Sequence, residues 1–291
     1  MKQSGGKREK GALLLIVVLL VVIGLVILYS TSAYNGQVKF HDSFYYLKKQ
    51  AFATVLGIVL MLFVAGMDYH IWQRLAVFGY LAAVALSVAV MLFGREINGS
   101  KRWLALGPFS FQPSEFAKVA LILFLADLVT KNVKTIGKMW TLCRIMFWIL
   151  PIVGLVGASN LSTAIIILGI GVILIFVASP KYAQFALMGI AGACFMGIFL
   201  ALESYRLERL AIWRNPEKYE KGYQTLQGLY AIGSGGVFGV GIGNSVQKLG
   251  FVPEAQNDMI FSIICEELGL AGAGIIVFLF LLLIWRFFLI A

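Results

Sequence analysis

Apolar residues in this chain are grouped in long blocks. Runs recur at about 12–29, 51–66, 75–93, 116–129, 143–158, 161–178, 183–201 and 269–290. A bilayer core is crossed by about 20 residues of helix, and each run is near that length. In hydrocarbon every backbone N–H and C=O must be paired inside its own segment, so such runs form helices. The pattern predicts an all-α, polytopic transmembrane bundle of about eight spans. The 116–129 run is short, and only Ser159 and Asn160 separate two others, so the count has a margin of one. The whole of 1–291 reads as one integral membrane domain, with a large polar loop at 202–258 before the last span.

Composition agrees with the pattern. The 291 residues are 60% hydrophobic and 13% charged, against about 25% charged in soluble chains. The net charge of +10 does not point to nucleic acid, because the basic residues lie between apolar runs and not on one face. They read instead as topology signals. Lys2, Lys7, Arg8 and Lys10 precede the first run, and Lys131, Lys134, Lys138 and Arg144 fall between the fourth and fifth. The positive-inside rule then places the N-terminus inside, with the 94–115 and 202–258 loops outside. The first run lacks a small-residue cleavage context and reads as a retained signal anchor. Cys143, Cys194 and Cys265 lie in apolar segments without CxxC spacing and read as free buried thiols. His41 and His70 are isolated, so no histidine metal site is visible. The run "GSGGVFGVGIGN" lacks the Gly-Lys-Ser/Thr ending of a phosphate loop and reads as flexible or tightly packed backbone.

Two stretches carry polar groups of chemical interest. In "NGSKRWLALGPFSFQPSEFAK", Pro113 suits the first turn of a helix. Glu115 and Lys118 are three apart on it and share a face. Arg102, beside Trp103, offers a fork suited to phosphate. The bland reading of Glu115 and Lys118 is a salt bridge, and the functional one is an anion or sugar contact. In "KLGFVPEAQNDMIFSIICEELG", a helix is expected to begin near Asn257, a good N-cap. Asp258 would then lie in its first turn, where the dipole favours the ionised form, fit for a general base. The alternative is that Asp258 only caps its helix. Glu266 and Glu267 are expected to pair with basic loop residues. The basic, aromatic segment from Tyr205 onward suits the headgroup layer.

These two stretches, with "NLSTAIIILGIGVILIFVAS" and "GYQTLQGLYAIGSGGVFGVGIGN", resemble the SEDS family (shape, elongation, division and sporulation), over nearly the whole chain and in the same order. The opening "LYSTSAYN…FYYLKKQ" is closer to its FtsW/SpoVE branch than to RodA. The resemblance implies a multi-pass protein of the bacterial cytoplasmic membrane with ten spans, so this chain reads as incomplete at its C-terminal end. It implies a peptidoglycan glycosyltransferase that polymerises lipid II into glycan strands at the outer face. Its partners would be a class B penicillin-binding transpeptidase and other division or sporulation membrane proteins. The family's essential aspartate matches Asp258, and its polar motif maps onto Arg102, Gln112, Ser114, Glu115 and Lys118. Trp103, Lys248 and Glu254 join these as expected substrate contacts. Where the family commonly has a Pro-Asp pair, this chain has Ser159 and Asn160.

In that picture Asp258 deprotonates the acceptor sugar hydroxyl, and Arg102 and Lys118 stabilise the diphosphate that leaves. No second carboxylic acid is needed, unlike in glycosidases. No cofactor is required by this scheme, and a divalent cation, magnesium or manganese, at Asp258 or Glu115 is left open. The alternatives are a lipid II flippase and a non-catalytic scaffold that activates its transpeptidase.

Overall fold

A computed structural model of the chain describes residues 2–97, 100–106, 109–179, 181, 183–185, 189 and 211–290. It divides into two compact units, Met1–Ala65 with Leu200–Ala291, and Gly66–Phe199.

The first unit contains α1 (Lys2–Phe40), α2 (Tyr45–Ala65), α7 (Tyr223–Ser234) and α8 (Ile260–Ile290); the numbering counts described helices only. With 39 residues, α1 is far longer than the roughly 20 that cross a bilayer core. Its apolar stretch therefore ends in the polar run "YSTSAYN" while the helix continues. The connection to α2 is a tight turn built by Asp42. The Asp42 carboxylate accepts from Phe44 N at 2.9 Å and from Lys48 Nζ at 2.7 Å. Phe40 stacks on Tyr45 across the turn. Against α1, α8 packs through Ile27, Ile264, Cys265, Ala273 and Ile276.

Within α8 the helix is broken at Gly269, where φ is 68 and ψ is −173. A break inside an apolar helix frees backbone groups, and these must find partners. The glycine-rich segment supplies them: Val240 N and Gly241 N donate to Glu266 O and Glu267 O, each at 2.9 Å. In return Leu270 N and Ala271 N donate to Gly236 O and Val237 O, each at 3.0 Å. Gly239 must be glycine there, because a Cβ would run into Glu267 O. Of the two sequence readings, the run is tightly packed backbone.

The second unit contains α3 (Tyr69–Phe93), α4 (Pro113–Asn132), α5 (Met139–Gly157) and α6 (Leu161–Ala178). Asp68 caps α3, accepting from His70 N, and Asn160 caps α6, accepting from Thr163 N at 3.2 Å. The core is an apolar seam of Leu121, Leu125, Ile145, Ile149, Ile152 and Ile167 around a ring cluster of Tyr80, Phe124 and Trp148. Tyr80 donates its hydroxyl to Trp148 O at 2.8 Å, which satisfies the phenol brought into the seam. Gly171 lets α6 approach α5 closely, with Ile149 filling the space a side chain would take, the small-residue contact common between membrane helices.

The 94–115 segment, expected as loop, adds β-structure to an otherwise helical chain. Strands β1 (Arg95–Ile97), β2 (Ser100–Leu106) and β3 (Phe109–Phe111) form an antiparallel ribbon in the order β1-β2-β3. Alternation in "WLAL" and "FSF" over so few residues is a weak signal, and cross-strand pairs such as Leu104 with Phe111 supply the rest.

Among the described residues, six helices are long and apolar enough to cross a membrane: Gly11–Phe40, α2, α3, α5, α6 and α8. Of the eight expected runs, 116–129 lies on α4, whose 20 residues carry Glu115, Lys118, Asp127 and Lys131. The run at 183–201 lies mostly outside the described residues. Cys265 is buried as expected, whereas Cys143 is exposed on α5, because an apolar surface facing lipid need not be covered by protein. Cys194 lies outside the described residues.

Candidate functional site

In the second unit, Pro113 opens α4 at its first turn, and the chain enters the helix from β3 through Gln112. This places Gln112, Ser114, Glu115 and Lys118 within two turns. Gln112 Nε2 donates to the buried Ser114 Oγ at 2.9 Å. Arg102, on β2, donates from Nε to Ser159 O at 3.2 Å. Arg102, Gln112 and Ser114 line a narrow cleft together with Ser87, Ser159 and Asn160. Its volume is about 20 Å³, room for roughly one water. Three of the expected contacts therefore converge on one polar notch. Trp103 stands beside it on β2, half-buried and opposite Arg95 in the ribbon.

Glu115 and Lys118 form an ion pair at 2.9 Å, with side chains 58% and 26% exposed. A pair this open is worth about 0–1 kcal/mol, so Lys118 can turn to an anionic ligand at small cost. Asn160 caps α6 through its side-chain oxygen, a role that needs no charge.

In the first unit the four acids of "KLGFVPEAQNDMIFSIICEELG" differ sharply. Glu254, at a positive φ of 51, accepts from Asn257 Nδ2 at 2.6 Å. Glu266 is 3% exposed and accepts from Ser245 Oγ, and from Val246 N at 3.1 Å. Glu267, also 3% exposed, pairs with Lys248 Nζ at 2.6 Å. Asp258 is exposed, as Glu254 is, and it alone of the four has no side-chain hydrogen bond or ion pair among the described residues. A crevice of about 400 Å³ has Asn257, its neighbour in sequence, in its wall, along with Leu28, Lys49, Gln50 and Gln256. Its wall is apolar along α1, and its polar groups come from α2 and from Gln256 and Asn257.

Two expectations change here. The helix does not begin at Asn257: residues 251–259 run through successive turns, and α8 starts at Ile260. Asn257 uses its side chain on Glu254, so it does not cap the helix, and Asp258 precedes the first helical turn. Lys248 is buried, its ammonium engaged by Glu267 and by Ser30, and so is turned away from any substrate. Glu267 does pair with a basic loop residue, Lys248, whereas Glu266 takes Ser245 Oγ and Val246 N and has no basic partner there. Sequence reasoning missed Ser30 and Asn35, which reach across 237 and 221 positions to Glu267 and Gln256. The only local hint is that "YSTSAYN" is polar inside an otherwise apolar helix.

No three His, Cys, Asp or Glu side chains gather to hold a metal among the described residues. Asp258 is a single carboxylate, and Glu115 is paired with an ammonium.

Apolar helices of spanning length, carrying an arginine-lined notch in one unit and a free carboxylate just before a helix in the other, define a polytopic membrane protein. A family model described as cell cycle protein, FtsW/RodA/SpoVE, matches residues 11–291. The chain is 37% identical to stage V sporulation protein E of Bacillus subtilis, covering 94% of this chain and 76% of that one. It is 34% identical to the probable peptidoglycan glycosyltransferase FtsW of Thiomicrospira cyclica, with 97% and 74% covered. Among solved structures it resembles a chain of a peptidoglycan synthase complex, with a TM-score of 0.73, 28% identity and 94% and 76% covered. It also resembles the rod shape determining protein RodA of Thermus thermophilus, with a TM-score of 0.64, 26% identity and 94% and 72% covered. The chain belongs to the FtsW/RodA/SpoVE family, as the sequence motifs implied.

Proposed function

We propose that this protein is a peptidoglycan glycosyltransferase that polymerises lipid II at the outer face of the bacterial cytoplasmic membrane. Asp258 is its general base, and a class B penicillin-binding transpeptidase is its partner. One observation carries the reading. Of four acids in the stretch, three are held by the protein and Asp258 is left exposed without a partner among the described residues. An unengaged carboxylate can accept a proton. It takes one from the 4-hydroxyl of the acceptor sugar, whose oxygen attacks the anomeric carbon of the donor. The α-linked donor inverts to a β-1,4 bond, and undecaprenyl diphosphate departs with both bonding electrons. Arg102 and Lys118 stabilise the diphosphate charge that develops, while Gln112, Ser114, Glu115 and Trp103 orient sugar and phosphate. The crevice beside Asn257, with an apolar α1 wall and polar groups from α2 and Gln256, suits a lipid-linked sugar.

The test is polymer formation from purified lipid II by Asp258→Asn protein that inserts normally. A general base contributes about 10²–10⁴-fold, so polymer should fall below detection. Wild-type polymer length and rate in that variant would overturn the assignment. Scoring translocation of a labelled lipid II in the same vesicles separates this reading from a flippase.

A further inference from the structure

We propose that Lys248, Glu267 and Ser30 form a positioning cluster that sets where Asp258 stands, by anchoring the 245–258 segment to α1 and α8. The proposal rests on Asp258 acting as the base. The cluster is buried: the Lys248 and Glu267 side chains are 6% and 3% exposed, 2.6 Å apart. Ser30 Oγ lies 2.7 and 2.8 Å from the two Glu267 oxygens, donating its proton across them, and accepts from Lys248 Nζ at 2.9 Å. One hydroxyl thus ties a loop lysine, the α8 carboxylate and α1 into a single knot.

The knot is one of several grips on a short segment. The adjacent Glu266 turns the other way and takes Ser245 Oγ and Val246 N. Val252 and Ala255 are buried against Ile263 and Ala231. Asn35 Nδ2 donates to Gln256 Oε1 at 2.9 Å, so α1 holds the segment at both ends. The side-chain tie to α1 is at Gln256, two residues before the exposed Asp258, and Met259 packs on the same apolar cluster just after it. This is the arrangement a base needs, its backbone fixed and its carboxylate free.

Stability alone is a poor reason for such a cluster. A buried ion pair exchanged for apolar groups of similar size is often no less stable, whereas removing one partner strands a charge. The cluster does supply direction: an ammonium donor, a carboxylate acceptor and a hydroxyl that both donates and accepts tie the loop to α1 and α8. A displacement of about 1 Å at a reacting group can cost about 100-fold in rate.

The experiment compares the intact chain in nanodiscs with Lys248→Met/Glu267→Gln, which removes both charges and keeps their volumes, and with the milder Ser30→Ala. We expect the double variant to insert and to melt within a few degrees of the parent. Its kcat for lipid II polymerisation should fall by about 10–100-fold with KM within about two-fold. Hydrogen exchange should quicken at 245–258, and Ser30→Ala should show the same changes to a smaller degree. Wild-type kcat in the double variant, or a loss confined to KM, would overturn the proposal, as would unchanged exchange. Should the double variant fail to fold, Ser30→Ala decides on the same kcat and exchange criteria. Asp258→Asn run alongside keeps the two claims apart. If it retains turnover the base assignment fails, while exchange at 245–258 still reports on the anchor.

Discussion

Replacing Gly269 by alanine tests whether the break in α8 is built on a position that only glycine can hold. Its φ of 68 and ψ of −173 lie where a Cβ-bearing residue is strained by about 1–3 kcal/mol. The added Cβ would also overlap Gly239 N and Val237 O, backbone atoms that no rotamer change can move. Relief requires the 237–241 backbone to withdraw, and Leu270 N to Gly236 O and Ala271 N to Val237 O are the nearest of the four linking bonds. Losing two at about 0.5–1.5 kcal/mol each brings the total to about 2–6 kcal/mol. Whole-protein stability is only about 5–15 kcal/mol, so the effect is large. With about 2–4 °C per kcal/mol for domains of 150–250 residues, the melting midpoint in detergent should drop by at least about 4 °C. Gly239→Ala, at φ 79 against Glu267 O, should do the same. The control is Gly274→Ala, on regular helix with nothing within 4 Å of the new atom, where alanine should gain up to about 1 kcal/mol. Equal midpoints for Gly269→Ala and Gly274→Ala would refute the reasoning.

Two further outcomes follow from local geometry. Asn160→Ala should lose about 0.5–2 kcal/mol through its cap on α6, measured by thermal melting, whereas Asn160→Asp, restoring the family's residue, should be neutral. The Asp42 carboxylate is held below the ordinary carboxylate range by its hydrogen bonds from Lys48 and then from Phe44 N. Its contribution to the α1–α2 turn is therefore complete above the unfolded value near about 3.9 and is lost as pH falls through the lower folded value. Hydrogen exchange at 41–48 should rise on acidification through that window, and Asp42→Asn should remove the dependence.

The helices were legible in the sequence because the bilayer makes length and apolarity decisive. Pro113 announced the start of α4, and Glu115 and Lys118 met at i, i+3 as helical spacing requires. The ribbon at 95–111 was not legible, since its strands are too short for periodicity to separate from loop. Asn257 misled for a different reason. An N-cap signal is local, but here the side chain serves Glu254 and a run of turns carries the chain to Ile260. Lys248 read as a substrate contact because its partners, Glu267 and Ser30, lie 19 and 218 positions away. Its burial is a property of the tertiary fold.

No residue of α2 is buried, so its sequence is governed by hydrocarbon more than by neighbours. Exchange among leucine, isoleucine, valine and phenylalanine along it leaves no cavity and meets no wall, while a charge at mid-depth costs about 2.5–3.5 kcal/mol. Drift there is sieved by polarity and blind to shape, the reverse of the rule inside the Tyr80–Phe124–Trp148 cluster.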